Sequence, residues 1–247
     1  TIRANDARTN IYIETDSTGI DSIYHPSANF YYNEASSQLL FSRPKYGVGR
    51  SPFFDSYHKM DITVESISWD LTKEKIEFKP MTGSTNESPA TFESQNFFNN
   101  QTMRKLQGVN DENPLFTLWK AYNAGNFKPL TYEQIVRYFN RPPEDVKSML
   151  IQFAADGFVE YDVNANKIYY RKKIAQYLNN DVNKKDFDNI ILESKTHYAV
   201  LNLENNDLTV TGCEYFVLSD AQIVNVYPTE ERVTVGRDRD MRFSGRI

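Results

Sequence analysis

The chain has 247 residues, 40% hydrophobic and 25% charged, which is the composition of an ordinary globular protein with room for one to three domains. A net charge of −5 excludes general binding of polyanions by the whole surface, although it leaves room for a local basic patch. The single cysteine, Cys213, excludes an internal disulfide and any zinc site built from cysteines. Tyr and Phe, 16 of each, favour strands and so predict a β-rich protein.

The two ends of the sequence and its apolar runs bear on location. No apolar run is long enough to cross a bilayer as a helix, and the first residues, TIRANDARTN, lack the apolar core of a signal peptide. The last residues, MRFSGRI, have the pattern of a strand. We therefore expect the chain to be a segment of a longer protein, in which case the missing signal peptide says nothing about location. One cysteine fits both the cytoplasm and the periplasm.

Residues 1–98 are predicted to form strands joined by turns. Alternation is visible in IYIET and, most clearly, in MDITVESISWDLTKEKIEFKP, where LTKEK is the connection of a hairpin. Residues 82–90, TGSTNESPA, are predicted to be a polar loop. Residues 99–113 are rich in Asn and are predicted to connect the β-rich region to a helical one.

Helix signals are concentrated in residues 114–180. Pro114 suits the first turn of a helix, and Thr131 with Gln134 matches a capping box. The stretch PPED, 142–145, begins another helix with prolines and two acids, and FVEYD and KIYYR then form a hairpin across VNAN. Helix, helix–turn–helix and hairpin is the order of a winged-helix module. Four aromatic residues are predicted to pack this module against the sheet: Trp119, Tyr122, Phe139 and Phe153.

Strand alternation returns in residues 181–247, which are predicted to be β-rich and to continue the first sheet. HYAVLNLENNDLTVTG is the clearest hairpin, and RVTVG and MRFSG follow at short intervals. The predicted fold class is α+β. Antiparallel β-rich flanks, arranged as an open β-jellyroll, a sandwich or a solenoid, enclose an inserted winged-helix-like module.

The helix that would read DNA carries the wrong charges for that role. Residues 114–178 contain nine basic and six acidic residues, a net charge of +3. However, Glu144 and Asp145 occupy the helix start, where a reading helix should meet base edges, and carboxylates repel phosphates. We therefore expect the module to serve in packing or protein docking rather than in nucleic-acid binding, which is kept as an alternative. The basic cluster Arg171, Lys172 and Lys173 is the candidate docking surface, and a solvated strand end is the plainer interpretation.

Other residues carry weaker signals for chemistry. The three histidines, His25, His58 and His197, lie far apart without metal-ligand spacing, so no metal site is predicted. Cys213 follows a predicted strand and is interpreted as a buried thiol. The sequence gives no catalytic residue and no cofactor site. An aromatic row could bind glycans, although core packing is the simpler interpretation: Tyr24, Phe30, Tyr31, Tyr32 and Phe41.

Several stretches together resemble an internal segment of very large secreted or envelope proteins of Gram-negative bacteria. They cover essentially the whole chain: DSIYHPSANFYYN, RSPFFDSYHKMDI, ATFESQNFF, MRKLQGVNDENPL, NRPPEDVKSMLIQFAADGFVEYD, NDLTVTG, VLSDAQ and RDRDMRFSGRI. The resemblance brings no activity, cofactor or catalytic residue with it. It implies a β-rich region with a helical insert, continued on both sides and exported to the periplasm or outer membrane.

These observations lead to three hypotheses on function. The leading one is a non-catalytic structural or assembly segment of a large cell-envelope protein, with a groove or docking surface for other regions of that protein or for envelope proteins. The second is a nucleic-acid-binding winged-helix regulator in the cytoplasm, for which steep weakening of binding with salt is the discriminating property. The third is a glycan-binding or carbohydrate-active module, which a glycan array would reveal.

Overall fold

The computed structural model describes residues 1–14, 19–81, 83, 89–95, 97–107, 112–183, 190–217 and 225–246. Within these ranges the predicted α+β class is confirmed. Eighteen strands and five α-helices are formed there, and sixteen of the strands make one antiparallel sheet that curves into a half-barrel. Most of the predicted polar loop at 82–90 lies outside the described residues.

Two long strands, β1 (Ile2–Glu14) and β2 (Ile20–Asn33), form the spine of the sheet. β1 pairs along one edge of β2, and the other edge of β2 is shared by two strands. The later half of β2 pairs with β3, whereas its earlier half pairs with β4. The sheet therefore divides here into two arms. Six shorter strands complete the first β-rich region: β3 (Gln38–Ser42), β4 (Phe53–Asp55), β5 (Met60–Thr63), β6 (Ser66–Asp70), β7 (Lys75–Lys79) and β8 (Ala90–Ser94).

The helical module follows β8. The predicted connector at 99–113 is not purely a linker, because it contains a short helix, α1 (Asn100–Gln107). Asn113 caps the next helix and the predicted capping box of Thr131 and Gln134 is present. Leu130 forms a bridge with Ile168 of the hairpin, which ties the helices to it. The elements are α2 (Pro114–Ala124), α3 (Tyr132–Phe139), α4 (Pro143–Ala155), β9 (Val159–Asp162), β10 (Lys167–Tyr170) and α5 (Lys173–Asn183).

The chain then returns to the sheet at the place where it left. β11 pairs with β8, and β12 pairs with β7, so strands from before and after the module belong to one sheet. The strands of this second region are β11 (Ile191–Ser194), β12 (Tyr198–Asn202), β13 (Leu208–Thr211), β14 (Phe216–Val217), β15 (Asn225–Pro228), β16 (Arg232–Val235), β17 (Met241–Arg242) and β18 (Gly245–Arg246).

The two arms face each other across one apolar core. The first arm runs β3-β6-β7-β12-β13-β16-β17 and the second runs β4-β5-β8-β11-β14-β15-β18. Alternation selects the inward side chains, as in β7, where Ile76 and Phe78 are buried between outward charged residues. The rings of Phe78 in the first arm and Phe92 in the second meet edge to face, with centroids 6.3 Å apart. The helical module has a separate core of its own.

One short segment joins the outer ends of both arms. Residues 241–246 supply β17 to the first arm and β18 to the second, with only Phe243 and Ser244 between them. The ring of Phe243 packs edge-on against Phe216, with centroids 5.3 Å apart. The two outer ends of the sheet are therefore both covered by two-residue strands of the same segment.

Candidate functional site

The free edge of β1 is the first candidate surface. β1 is 13 residues long and, among the strands that the structure describes, it pairs only with β2. Ile2 and Tyr12 are 59% and 69% exposed on it, while Ile11 and Ile13 face the sheet core. Asp6 lies within the first of two register shifts, between Ala4 and Ala7, and its backbone oxygen accepts a hydrogen bond of 2.8 Å from the Asn164 side chain. A sheet edge of this kind is a template for another strand.

The second candidate is the junction at which the module meets the outer face of the second arm. Asp61 of β5 and Glu93 of β8 are direct partners across the ladder, so two carboxylates lie side by side. Both are largely removed from water, with side chains 3% and 22% exposed. Like charges directly opposite each other destabilise a pair of strands. This register is therefore stable only if cations reach the two carboxylates.

The module supplies those cations from the segment that leads from β10 into α5. Arg171 binds Asp61 through two parallel hydrogen bonds, Nη1 to Oδ2 and Nη2 to Oδ1, each 2.8 Å long. Lys173 donates to Glu93 Oε1 at 2.5 Å and to the backbone oxygen of Asp156 at 3.0 Å. The guanidinium of Arg171 also lies 3.9 Å from the centre of the Phe54 ring. The two-pronged contact suits the planar guanidinium fork, which Lys could not reproduce.

Gly157 allows the module to approach this closely. Its φ of +73° lies in the left-handed region, and an added Cβ would lie 2.9 Å from Asp61 Oδ2 and 3.2 Å from Arg171 Nη1. Its backbone oxygen accepts a 2.5 Å hydrogen bond from Arg171 Nη1. Glycine is thus required here both by the backbone angle and by the ion pair beside it.

Burial and neighbouring charge act against each other at the junction. Burial lowers the pKa of Lys173, but the carboxylates of Glu93 and Asp61 outweigh it and raise that pKa overall. Burial raises the pKa of Glu93, and Lys173 opposes the rise. Burial also raises the pKa of Glu160, whose carboxylate lies 3.8 Å from Arg171 Nε. Lys173 therefore stays protonated. As the pH falls, Glu93 takes up a proton at a higher pH than an ordinary glutamate would.

A cavity of about 180 Å³ lies beside the ion pairs, between the module and the second arm. Its walls include Asp61, Glu93, Lys173, Phe97 and Tyr177. A polar space of this size has room for water molecules, since each occupies about 30 Å³ in the liquid. The chemistry that the walls offer is hydrogen bonding to water around an ion-pair cluster.

The predicted docking surface is not formed as expected. Arg171 and Lys173 are 11% and 5% exposed, because the carboxylates of the sheet hold both side chains at the junction. Of the three residues only Lys172 is exposed. The prediction was wrong for Arg171 and Lys173, whose partners lie 110 and 80 positions away in the chain and leave no local signal.

The four aromatic residues predicted to pack the module against the sheet pack inside the module. Tyr122, Phe139 and Phe153 are buried in its core, and Trp119 is half-buried against that core and stacks on Phe116. The Tyr122 hydroxyl donates a 3.0 Å hydrogen bond to the backbone oxygen of Ile168. This part of the prediction was wrong because the helices α2 to α5 and the hairpin need these large side chains to fill the module's own interior.

The other sequence candidates are placed as follows. His25 and His58 are fully buried and His197 is half-buried. Among the described residues no group of three or more His, Cys, Asp or Glu is arranged to hold a metal ion. Cys213 is buried, and burial raises the pKa of its thiol to about 11. Of the aromatic row, Tyr24 and Phe41 are buried, while Phe30, Tyr31 and Tyr32 are half-buried along β2.

Two further observations bear on the hypotheses. Glu144 and Asp145 are exposed at the start of α4, so that helix presents carboxylates to solvent. In the described part of the chain no helix is both long enough and apolar enough to cross a membrane.

Comparisons with protein-family models, with curated proteins and with solved structures find no match for this chain.

Proposed function

We propose that the chain is a non-catalytic structural or assembly segment of a large bacterial cell-envelope protein, located in the periplasm or at the outer membrane. Its partners are other regions of the same protein or neighbouring envelope proteins. The observation that carries this proposal is the free edge of β1, which is long while the outer ends of both arms are covered by two-residue strands. Proteins usually blunt such an edge. On β1 the register shifts and the Asn164 hydrogen bond interrupt the edge between residues 4 and 9, but residues 9–14 continue it in unbroken register, and this stretch favours strand pairing with a partner.

The junction supports a structural role for the module. Arg171 and Lys173 bind carboxylates of the sheet and are withdrawn from solvent. They are two of the three cations of the predicted docking surface. The exposed carboxylates at the start of α4 would repel nucleic-acid phosphates. The module therefore serves best as a packing element on the outer face of the second arm.

Site-specific crosslinking tests the assembly role. The only cysteine, Cys213, is buried, so Tyr12→Cys places a single accessible thiol on the free edge. Tyr46→Cys is the matched control, because Tyr46 is 86% exposed but lies in a turn outside every strand. With a short thiol crosslinker in intact cells we expect Tyr12→Cys, and not Tyr46→Cys, to form discrete adducts. Equal adducts from both positions, or none from Tyr12→Cys, would contradict the role assigned to β1.

The envelope location has its own test. Cells that make the protein are fractionated, and the protein is exposed to protease before and after the outer membrane is permeabilised. Recovery with the envelope, with cleavage only after permeabilisation or at the cell surface, is the expected result. Recovery in the cytoplasm would refute the envelope assignment, and salt-dependent DNA binding would then become the next measurement.

A further inference from the structure

A buried histidine links the two arms at their turns. His58 lies in the turn between β4 and β5 of the second arm, and its side chain is fully buried. Its Nδ1 is 2.6 Å from Oδ2 of Asp55, which is also fully buried. Its Nε2 is 2.8 Å from the backbone oxygen of Asn206, in the turn between β12 and β13 of the first arm. The imidazole thus bridges two turns that are 148 positions apart in the chain.

Both neighbours of the ring accept hydrogen bonds and neither can donate one. A carboxylate lies at one nitrogen and a backbone carbonyl at the other, so both contacts are satisfied only by the doubly protonated imidazolium. The remaining oxygen of Asp55, Oδ1, already accepts from the backbone N–H groups of Tyr57 and His58, each at 3.0 Å. The carboxylate is therefore fixed in place and cannot turn away if the ring loses a proton.

The charged groups around the ring come from both arms. Asp207 follows Asn206 and pairs with Arg242 of β17. The Tyr57 ring lies edge-on to the imidazole, with centroids 4.9 Å apart, and Arg237 lies 5.8 Å from the centre of the Tyr57 ring. The N–H of Asp238 donates a 3.0 Å hydrogen bond to the backbone oxygen of Tyr57. That last bond also joins the arms, because Asp238 lies between β16 and β17.

We propose that His58 is a pH-sensitive latch between the two arms, closed while the ring carries both protons and released when it carries one. On release the proton goes to water. The hydrogen that remains stays on Nδ1 against the Asp55 carboxylate, and Nε2 then turns a lone pair towards the Asn206 carbonyl. Two acceptors facing each other repel, so the contact between the turns is the one that opens. The latch is independent of the function proposed for β1.

The direction of the pH effect follows from the surroundings of the ring. Burial lowers the pKa of His58, but the Asp55 carboxylate, together with the Asn206 carbonyl and Asp207, more than compensates and raises it above the ordinary value of 6.5. A histidine whose folded-state pKa is raised stabilises the folded state fully below its unfolded pKa, and this stabilisation is lost as the pH rises through the folded-state pKa. The latch is thus closed below the folded-state pKa of His58, which lies above 6.5, and it opens as the pH rises through that pKa.

Nuclear magnetic resonance of the ¹⁵N-labelled chain tests the latch. The ring nitrogens of His58 report its protonation, and hydrogen exchange of the Asp238 amide reports the contact between the arms. The Leu130 amide, which bonds to Ile168 within the module at 3.0 Å, is the internal control. We expect His58 to titrate above pH 6.5. Above that titration, the protection of Asp238 relative to Leu130 should fall by up to about tenfold per pH unit.

Two variants sharpen the result. His58→Gln keeps one donor and no charge, so protection at Asp238 should become independent of pH. Asp55→Asn removes the carboxylate, so the ring should titrate at lower pH and the opening should move with it. If neither variant folds, the titration of the unaltered chain still decides. A His58 titration at or below pH 6.5, or an unchanged Asp238 protection across the titration, would overturn the proposal.

Discussion

The two arms of the sheet and the helical module are held in place by contacts of opposite kinds. The arms meet through a continuous apolar core, in which rings such as those of Phe78 and Phe92 touch directly. The module meets the second arm through ion pairs and the segment before β4 through Val48, which packs against the module core, and that core is separate from the core of the sheet. The sheet and the module could therefore lose their contact while each keeps its interior.

The two kinds of contact respond differently when a side chain is truncated. Removing an apolar side chain leaves a cavity, whose cost depends on how far the surroundings collapse. Removing one partner of a buried ion pair leaves the other charged and unpaired, which costs as much although the intact pair adds little net stability. The contact between the arms is thus a source of stability, and the junction is above all a source of specificity for one arrangement.

The largest expected effect belongs to the core between the arms. Phe92→Ala should lower the free energy of unfolding by about 3–5 kcal/mol, because Phe92 is fully buried and its ring has aromatic neighbours. Urea unfolding followed by circular dichroism measures the loss. Tyr46→Ala, at an exposed turn, is the control and should change stability by less than about 0.5 kcal/mol. A similar loss in both variants would mean that Phe92 does not hold the arms together.

The junction should respond almost as strongly, but through charge. Arg171→Met should cost about 3 kcal/mol, because the buried Asp61 would lose its hydrogen-bonded partner and keep only Lys173, whose Nζ lies 3.7 Å from Oδ2. Asp61→Asn added to Arg171→Met should recover part of that loss, since an amide carries no charge. Hydrogen exchange should show the module loosening from the sheet while β7 and β12 keep their protection. If the double variant is as unstable as the sum of the two single ones, the pair is not coupled.

A neutral histidine in the sheet offers a contrast with the charged junction. His25 accepts from the Ser27 N–H at Nδ1 and contacts the Ser51 backbone oxygen through Nε2, and burial lowers its pKa to about 3. Below the unfolded pKa of about 6.5 the unfolded chain binds a proton that the folded chain does not, so stability falls as the pH falls. The contribution is up to about 1.4 kcal/mol per pH unit.

Comparison with His25→Gln separates the contribution of His25 to the pH dependence of stability from that of the carboxylates, which also titrate in acid. Between pH 4 and 6.5 the free energy of unfolding should fall less steeply with falling pH for the variant than for the unaltered chain. The difference between the two slopes should correspond to the uptake of about one proton on unfolding. Equal slopes would show that His25 is charged in the folded chain, and the contrast with the junction would then disappear.

The smallest expected effect lies within the module. Thr131 Oγ accepts from the Gln134 N–H, and Gln134 Oε1 accepts from the Thr131 N–H at 2.8 Å. Thr131→Ala should cost about 1 kcal/mol, whereas Thr131→Ser should be nearly neutral because it keeps the hydroxyl. Thermal unfolding of both variants measures the difference. The loss should appear in the module and leave the contact between the arms unchanged.

The fold class could be predicted because helix caps and strand alternation depend only on residues that are close together in the sequence. A capping box needs only Thr131 and Gln134, and the alternation in KIEFK needs only a sheet with one buried face. The module packing was assigned wrongly for a related reason. Helical spacing shows that Tyr122 and Phe153 face an apolar partner, but it does not show whether that partner is another helix or the sheet.

The junction could not be predicted from the sequence, because its partners are brought together only by the tertiary fold. A solvated strand end is the plainer interpretation of Arg171 and Lys173 in the sequence, and no sequence pattern singles out Asp61 or Glu93. The informative fact is that the two carboxylates are opposite each other in register. That fact depends on strand pairing, and one sequence does not give the pairing.

The place where the module enters and leaves the sheet has a consequence for how the chain can be altered. The N–H of Ser94 bonds to the Ile190 backbone oxygen at 2.8 Å, so the whole excursion begins and ends at adjacent backbone positions. A designer could excise it and close β8 to β11 with a tight turn, because lengthening or shortening a connection changes loop-closure entropy only slowly. The trimmed sheet would need Asp61→Asn and Glu93→Gln, since its own surface has no other role for two adjacent acids. The module is thus an insertion between two paired strands of the sheet, and Asp61 and Glu93 are the residues that fix its position on the sheet.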